Sequence, residues 1–361
     1  MTDADLFNAL TASLGGRFPR EIAPDAAKAA YAEIAERAND LIAVTRKHLP
    51  NLPAIYFDFI ANSSINAVAF KAGGRYFIGI NTGTIFMLRS IIGRIFSDSR
   101  LFRRIGDPDK ESNDLTPLLE YSVDADELLK KMPLMTPRDS IRASYAWFLQ
   151  DQAIMFLIGH EIAHITRGHV DYLASNRNIA TKEIEENPTG SHKEIIQRQS
   201  MEVDADASSI YSRIDSLRIT FENPTTIPLP WAPGAQGPGQ LIQDWGVSLN
   251  VLFNLFGNRL FTLNQLKETN HPTLLLRQAF CNGKATTDIV RTWDRGLEST
   301  ALISLTAAQK ETNEAFATLL GLTLTPIAER DQGNISDYGM QLIDEWNSHL
   351  RFSMKGYAYE F

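Results

Sequence analysis

The sequence predicts an α+β chain that is mainly helical. Three observations carry that expectation. Apolar residues recur at helical spacing through four long stretches: Pro24–His48, Ser140 to about Leu173, Lys193 to about Arg218, and most of Leu241–Leu350. Strand-type runs are short and gathered between Ala54 and Ile80. Between two of those runs stands Gly73-Gly74, the signal of a tight hairpin turn.

Along the chain, Tyr31, Ile34, Ala38, Leu41 and Thr45 mark one face of the first long helix, with Pro24 in its first turn and Pro50 beyond its end. Ala54–Phe59 is an apolar run of strand type. Ile65–Phe70 and Tyr76–Ile80 are the arms of the hairpin, and Thr84–Phe96 returns to helical character. Ser97–Thr116 is charged and irregular and reads as an exposed loop, with Arg103-Arg104 solvated. Leu118–Lys131 is a candidate short helix. Ser140–Leu173 reads as one long helix with Trp147 and Phe148 in the core, and Ala174–Gly190 as a polar linker. Asn223–Gly239 holds five prolines and three glycines, which leaves little room for regular structure.

Composition removes several function classes. Hydrophobic residues make up 44% and charged residues 22% of 361, the balance of a globular protein with a sizeable core. A net charge of −8 without a basic block argues against nucleic acid as the main partner. Cys281 is the single cysteine, so no internal disulfide forms and a reducing compartment is expected. No basic n-region precedes an apolar stretch near Met1, and arginines or asparagines interrupt the best apolar runs. The expectation is a cytoplasmic protein without stable membrane insertion.

One segment carries chemistry. In Gly159-His160-Glu161-Ile162-Ala163-His164 two histidines stand four residues apart inside a helical run, about 40° apart around the axis. Both rings can reach one metal ion, and Glu161 between them can touch a water on it; this is the zinc-hydrolase pattern H-E-x-x-H. The competing reading is a buried helix whose histidines pack and hydrogen-bond locally. A catalytic zinc needs a third protein ligand. His169 does not fit the metzincin register, in which the glycine and third histidine would fall at Arg167 and Val170. It lies half a turn of phase from His160 and is expected to point elsewhere. Glu202 and Asp206, four apart on the next strong helix, serve better. Glu202 can ligate, and Asp206 can accept a hydrogen bond from the far nitrogen of a ligand histidine. Taken alone, that stretch also reads as a solvated acidic helix face.

With these residues in view, Gly159–His169 closely resembles the active-site helix of the gluzincin metallopeptidases of the HtpX / CAAX prenyl protease type. That family often carries a histidine five residues after its second ligand, as His169 stands here. Its E-x-x-A-D motif is matched by Glu202–Asp206. His271-Pro272 with Arg277 resembles a further family segment. Asn66-Ala67-Val68-Ala69 and Ile80-Asn81-Thr82-Gly83 look like its edge-strand hairpin. The pieces occur in family order over roughly residues 55 to 280. The soluble phage-exclusion (Lit-type) peptidases lie near as well. Typical family members carry transmembrane helices, which this sequence does not show.

The resemblance implies a zincin-like core at 53–285, with insertions, between an N-terminal helical segment (1–52) and a C-terminal helical region (286–361). It implies Zn²⁺ on His160, His164 and Glu202, supported by Asp206. Glu161 is then the general base for a zinc-activated water, and His271 or Arg277 is a further oxyanion donor or a support for Asp206. The function expected is that of a zinc metalloendopeptidase acting on protein or peptide substrates, which could pair with an exposed Ile65–Phe70 edge strand. The alternative is a catalytically weak, metallopeptidase-like regulatory or binding module, against which the intact Glu161 speaks. A deformylase-like amidase would take a cysteine ligand from a motif that Cys281 does not match.

Overall fold

The computed structural model describes residues 1–23, 25–115, 134–177, 191–223, 237–256, 271–321 and 329–360. The chain opens with α1 (Asp3–Leu10), closed by a reciprocal Thr2–Asp5 capping box, and α2 (Asp25–His48). Three strands follow: β1 (Ile55–Ile60), β2 (Ala67–Ala72) and β3 (Arg75–Asn81). The sheet order is β1-β3-β2, with β1 parallel and β2 antiparallel to β3.

The hairpin stands where the glycine pair predicts it. Gly73 and Gly74 take φ of +57° and +75°, the left-handed pair that a two-residue turn needs. Central β3 is buried from Tyr76 to Asn81 because both faces of the sheet are covered. On one face Phe7 of α1 packs on Ile60, Val68, Phe70 and Phe77. On the other, Phe57, Phe59, Tyr76, Ile78 and Ile80 join the main helical core. That leaves β2 at an edge. Asn81 N–H donates to the carbonyl of Asn66, so residues 66, 68 and 70 face β3 through their backbone. The outward backbone groups therefore belong to Ala67, Ala69 and Lys71.

Helix α3 (Thr82–Phe96) leads into the segment read as an exposed loop. Residues 97–115 are irregular and in good part exposed, as expected, but they are also tied down from beneath. Arg142 is wholly buried and donates to the carbonyls of Phe96, Asp98, Leu101, Phe102 and Ile105. Arg103 stays exposed, but Arg104 is turned inward, 2.9 Å from buried Asp244. Arg104 is thus solvated only in part: the residue stays at the surface while its guanidinium answers a buried carboxylate, which needs a cation. The candidate helix at 118–131 lies outside the described residues.

The long helix α4 (Ser140–Thr166) begins at Asp139, whose side chain accepts from the backbone N–H of Ile141 and Arg142. Phe148 is buried as expected; Trp147, one position round the helix, is 50% exposed. The helix does not run on to Leu173. Gly168 takes φ +79° and ends it, and α5 (His169–Arg177) starts anew in another direction. Ala174–Arg177, read above as the start of a polar linker, belong to α5, and the rest of that segment, 178–190, lies outside the described residues. A Ser191–Glu194 capping box opens α6 (His192–Glu222). Pro238, assigned above to a loop, is the first residue of α7 (Pro238–Phe256). The rest is helical where described: α8 (Leu274–Thr292), α9 (Glu298–Leu320), α10 (Glu329–Glu345), a π turn (Trp346–Leu350) and α11 (Arg351–Met354). Among the described residues no helix is long and apolar enough to cross a membrane.

Candidate metal centre

The last turns of α4 are buried on every side, which suits a helix apolar around its circumference. It lies against α6, and Gly159 sets how closely. A Cβ there would stand 2.7 Å from Ser209 Oγ, which itself donates to the carbonyl of Phe156. Only glycine allows that approach without displacing Ser209. The contact brings Glu202 opposite the two histidines.

His160, His164 and Glu202 offer ligand atoms that all lie within 4.8 Å of one another, and all three residues are buried. The two Nε2 atoms are 3.0 Å apart. Glu202 Oε2 is 3.2 Å from His160 Nε2, and Oε1 is 3.3 Å from His164 Nε2. Oε1 makes no hydrogen bond although buried. A buried carboxylate oxygen left over beside two ring nitrogens fits a cation. Two imidazoles and one carboxylate are a donor set that zinc accepts.

The surroundings set the charges. Burial opposes a charge on His160, but Asp206 and Glu202 outweigh it and push the ring up to about 10. Burial likewise works against Glu202, yet His271, His164 and His160 hold it well below the usual carboxylate range. Glu161 is 5% exposed, and burial raises it despite the nearby histidines. A carboxyl raised in this way is disposed to take up a proton.

Each expected supporting residue lies at the cluster. Asp206 Oδ1 is 2.8 Å from His160 Nδ1. Arg277 answers Asp206 with both Nε and Nη2, at 2.8 and 2.6 Å, and stacks on Phe253. Of the two roles open to Arg277, the contact made is the one with Asp206. His271 Nδ1 is 3.1 Å from Glu202 Oε2, and its ring is 40% exposed. Cys281 is buried, the place of a small core residue.

His169 is not among the converging ligands, yet it does not point away. The turn at Gly168 brings its Nδ1 within 3.0 Å of His164 Nδ1. Its Nε2 lies 3.3 Å from Asp204 Oδ2, and Arg167 grips both oxygens of Asp204 at 2.7 and 2.9 Å. Burial lowers His169 to about 4, so the ring is neutral near pH 7. Phase arithmetic on an unbroken helix missed this contact. The available signal was Gly168, a residue type that commonly ends helices.

No curated protein and no solved structure matches this chain. The model of peptidase family M48 matches residues 28–184, less than half of the length. The matched segment holds the hairpin and His160-Glu161-x-x-His164 but stops before Glu202, so the second half of the cluster rests on geometry alone. That match supports a zinc metallopeptidase of the HtpX / CAAX prenyl protease type.

Proposed function

We propose that this chain is a zinc-dependent endopeptidase in which His160, His164 and Glu202 hold the metal and Glu161 is the general base. The observation that carries this reading is the convergence of three buried donors within 4.8 Å, beside a buried Glu161. When bound, zinc supplies a Lewis acid for the scissile carbonyl and lowers the pKa of a water toward ~7.

The chain's own residues do the rest. Glu161 takes the proton that the water loses as its oxygen bonds to the carbonyl carbon. It then hands that proton to the amine as the C–N bond breaks. Its raised affinity for protons suits both steps. Asp206 fixes the ring of His160 and is itself held by Arg277. We therefore assign Arg277 to orientation, and His271, partly open to solvent, to donation toward the developing oxyanion. An extended peptide can pair with the outward backbone groups of Ala69 and Lys71 on β2 and with the Ala67 carbonyl, the Ala67 N–H being donated to Asn66 Oδ1; such pairing tolerates many side chains.

The test is bound zinc and proteolysis, measured for wild type, Glu161→Gln and Glu202→Ala. Glu161→Gln should keep zinc and lose cleavage. Glu202→Ala should lose zinc affinity by more than the roughly 10- to 100-fold that an outer hydrogen-bond partner costs. Wild-type protein that takes up no zinc sinks the reading. Zinc retained with no cleavage of any protein substrate turns it toward the binding module.

A further inference from the structure

We propose that His169 is a positioning residue for the metal centre: set between His164 and Asp204, it fixes the orientation and tautomer of His164, as Asp206 does for His160. The inference rests on the metal reading above and extends it to residues that reading does not use.

The hydrogen bonds allow one consistent direction. A ring nitrogen that faces the ligand cluster must offer its lone pair, so Nε2 of His164 is bare and Nδ1 carries the hydrogen. That hydrogen has one close acceptor among the described contacts, Nδ1 of His169 at 3.0 Å. His169 must then carry its own hydrogen on Nε2, which faces Asp204 Oδ2 at 3.3 Å, an ion-pair distance without the alignment of a formed hydrogen bond. Asp204 is kept in place by the two bonds from Arg167. The row His164–His169–Asp204–Arg167 thus ends in a cation, as does the row His160–Asp206–Arg277. Both intervening carboxylates come from α6, two residues apart and so on different sides of that helix.

The far end of the chain closes over this row. The ring of Trp346 stands edge-on to His169 with centroids 5.6 Å apart, and the Arg167 guanidinium lies over the same ring at 5.6 Å. Tyr359 and Glu360 donate their backbone N–H to the carbonyl of Thr166, and Thr166 Oγ1 donates to Glu360 Oε1. A Cβ on Gly168 would stand 2.7 Å from the backbone of Ala358. His169 is fully buried under this cover, so its ring has little freedom to turn.

The experiment is zinc affinity of the full chain, by competition with a chromogenic chelator, together with the visible spectrum of the cobalt-loaded protein. His169→Phe keeps the bulk and removes both ring nitrogens. It should lower zinc affinity roughly 10- to 100-fold, the range for losing an outer partner of a metal ligand, and shift the cobalt bands. His169→Gln, whose amide can accept and donate, should recover most of that affinity. Metal-free His169→Phe that keeps wild-type circular dichroism but also wild-type affinity and cobalt bands overturns the proposal. Should His169→Phe fail to fold, Asp204→Ala carries the test, because it removes the group behind His169 without touching a ring: lower affinity is expected, and wild-type affinity overturns the proposal. Wild-type protein that binds neither zinc nor cobalt fails the metal reading itself, and this inference with it.

Discussion

The two halves of the cluster are built by different physics. His160, Glu161 and His164 sit on consecutive turns of α4, and helix periodicity alone brings the two rings together. Glu202, Asp206, His271 and Arg277 come from α6, from the approach to α8 and from α8 itself. Helix spacing sets Glu202 and Asp206 on one face, but nothing local aligns them with His271, Arg277 or the histidines; they meet because α4, α6 and α8 pack in one register. The first half should survive changes that leave α4 helical. The second should be sensitive to any change in how the helices meet.

Removing Arg277 strikes the second half hardest. Asp206 is 3% exposed, and Arg277 answers it through two charge-assisted bonds. Arg277→Met keeps much of the volume against Phe253 but takes from a buried carboxylate its guanidinium partner, leaving it to His160. Taking one partner from such a pair costs about 3–5 kcal/mol, so urea unfolding of the metal-free protein should show a loss of that size. Arg277→Lys should recover only part, since an ammonium does not bond two carboxylate oxygens in a planar fork. A loss below about 1 kcal/mol for Arg277→Met would mean that Asp206 holds its place unaided, and the contrast between the halves would fail.

Gly159 is the joint between the halves, and its substitution gives a smaller effect with a sign that can be reversed. Gly159→Ala gains about 1 kcal/mol of helix propensity. Against that, the new Cβ 2.7 Å from Ser209 Oγ forces the hydroxyl off the Phe156 carbonyl and strains the packing, at a cost of about 1–3 kcal/mol. The net expectation is a destabilisation of about 1 kcal/mol with weaker zinc binding. In a Ser209→Ala background the clash is gone, and the same substitution should stabilise. Equal effects in both backgrounds would show that the approach of α4 to α6 is not set at this contact.

The same division governs what the sequence made legible. Features written in periodicity or in turn chemistry were readable: α2, the hairpin at Gly73-Gly74, the histidine spacing, and the shared face of Glu202 and Asp206. Features decided by tertiary partners were not. Ser97–Thr116 looks like a loop because its carbonyls are satisfied by Arg142, which stands far away in sequence. Arg104 looks solvated because its partner Asp244 sits on α7, and the parallel pairing of β1 with β3 has no local mark. His169 falls between the two classes. Its reach to His164 depends on one residue, Gly168, whose left-handed backbone ends α4 and redirects the chain.

The smallest expected effect, per unit of pH, also ties the halves together. Two carboxylates of the second half, Asp206 and Glu202, hold the His160 ring up at about 10, against about 6.5 in an unfolded chain. For the metal-free protein this raised value contributes stability that is whole below about 6.5 and is lost as pH rises toward about 10. Zinc needs the bare nitrogen, so its binding expels that proton. Zinc affinity should therefore climb about tenfold, or about 1.4 kcal/mol, for each pH unit between 7 and 9. Over the same range the metal-free melting temperature should fall, and the gap between zinc-loaded and metal-free protein should widen. Glu202→Gln removes one of the two charges behind the effect and a proposed metal ligand with it, so its zinc affinity should fall throughout, and the metal-free loss of stability should shift to lower pH while the helix of His160 and His164 stays intact. A metal-free stability profile that does not move in that variant would mean that Glu202 plays no part in holding the His160 proton, and that Asp206 alone carries the coupling between the halves.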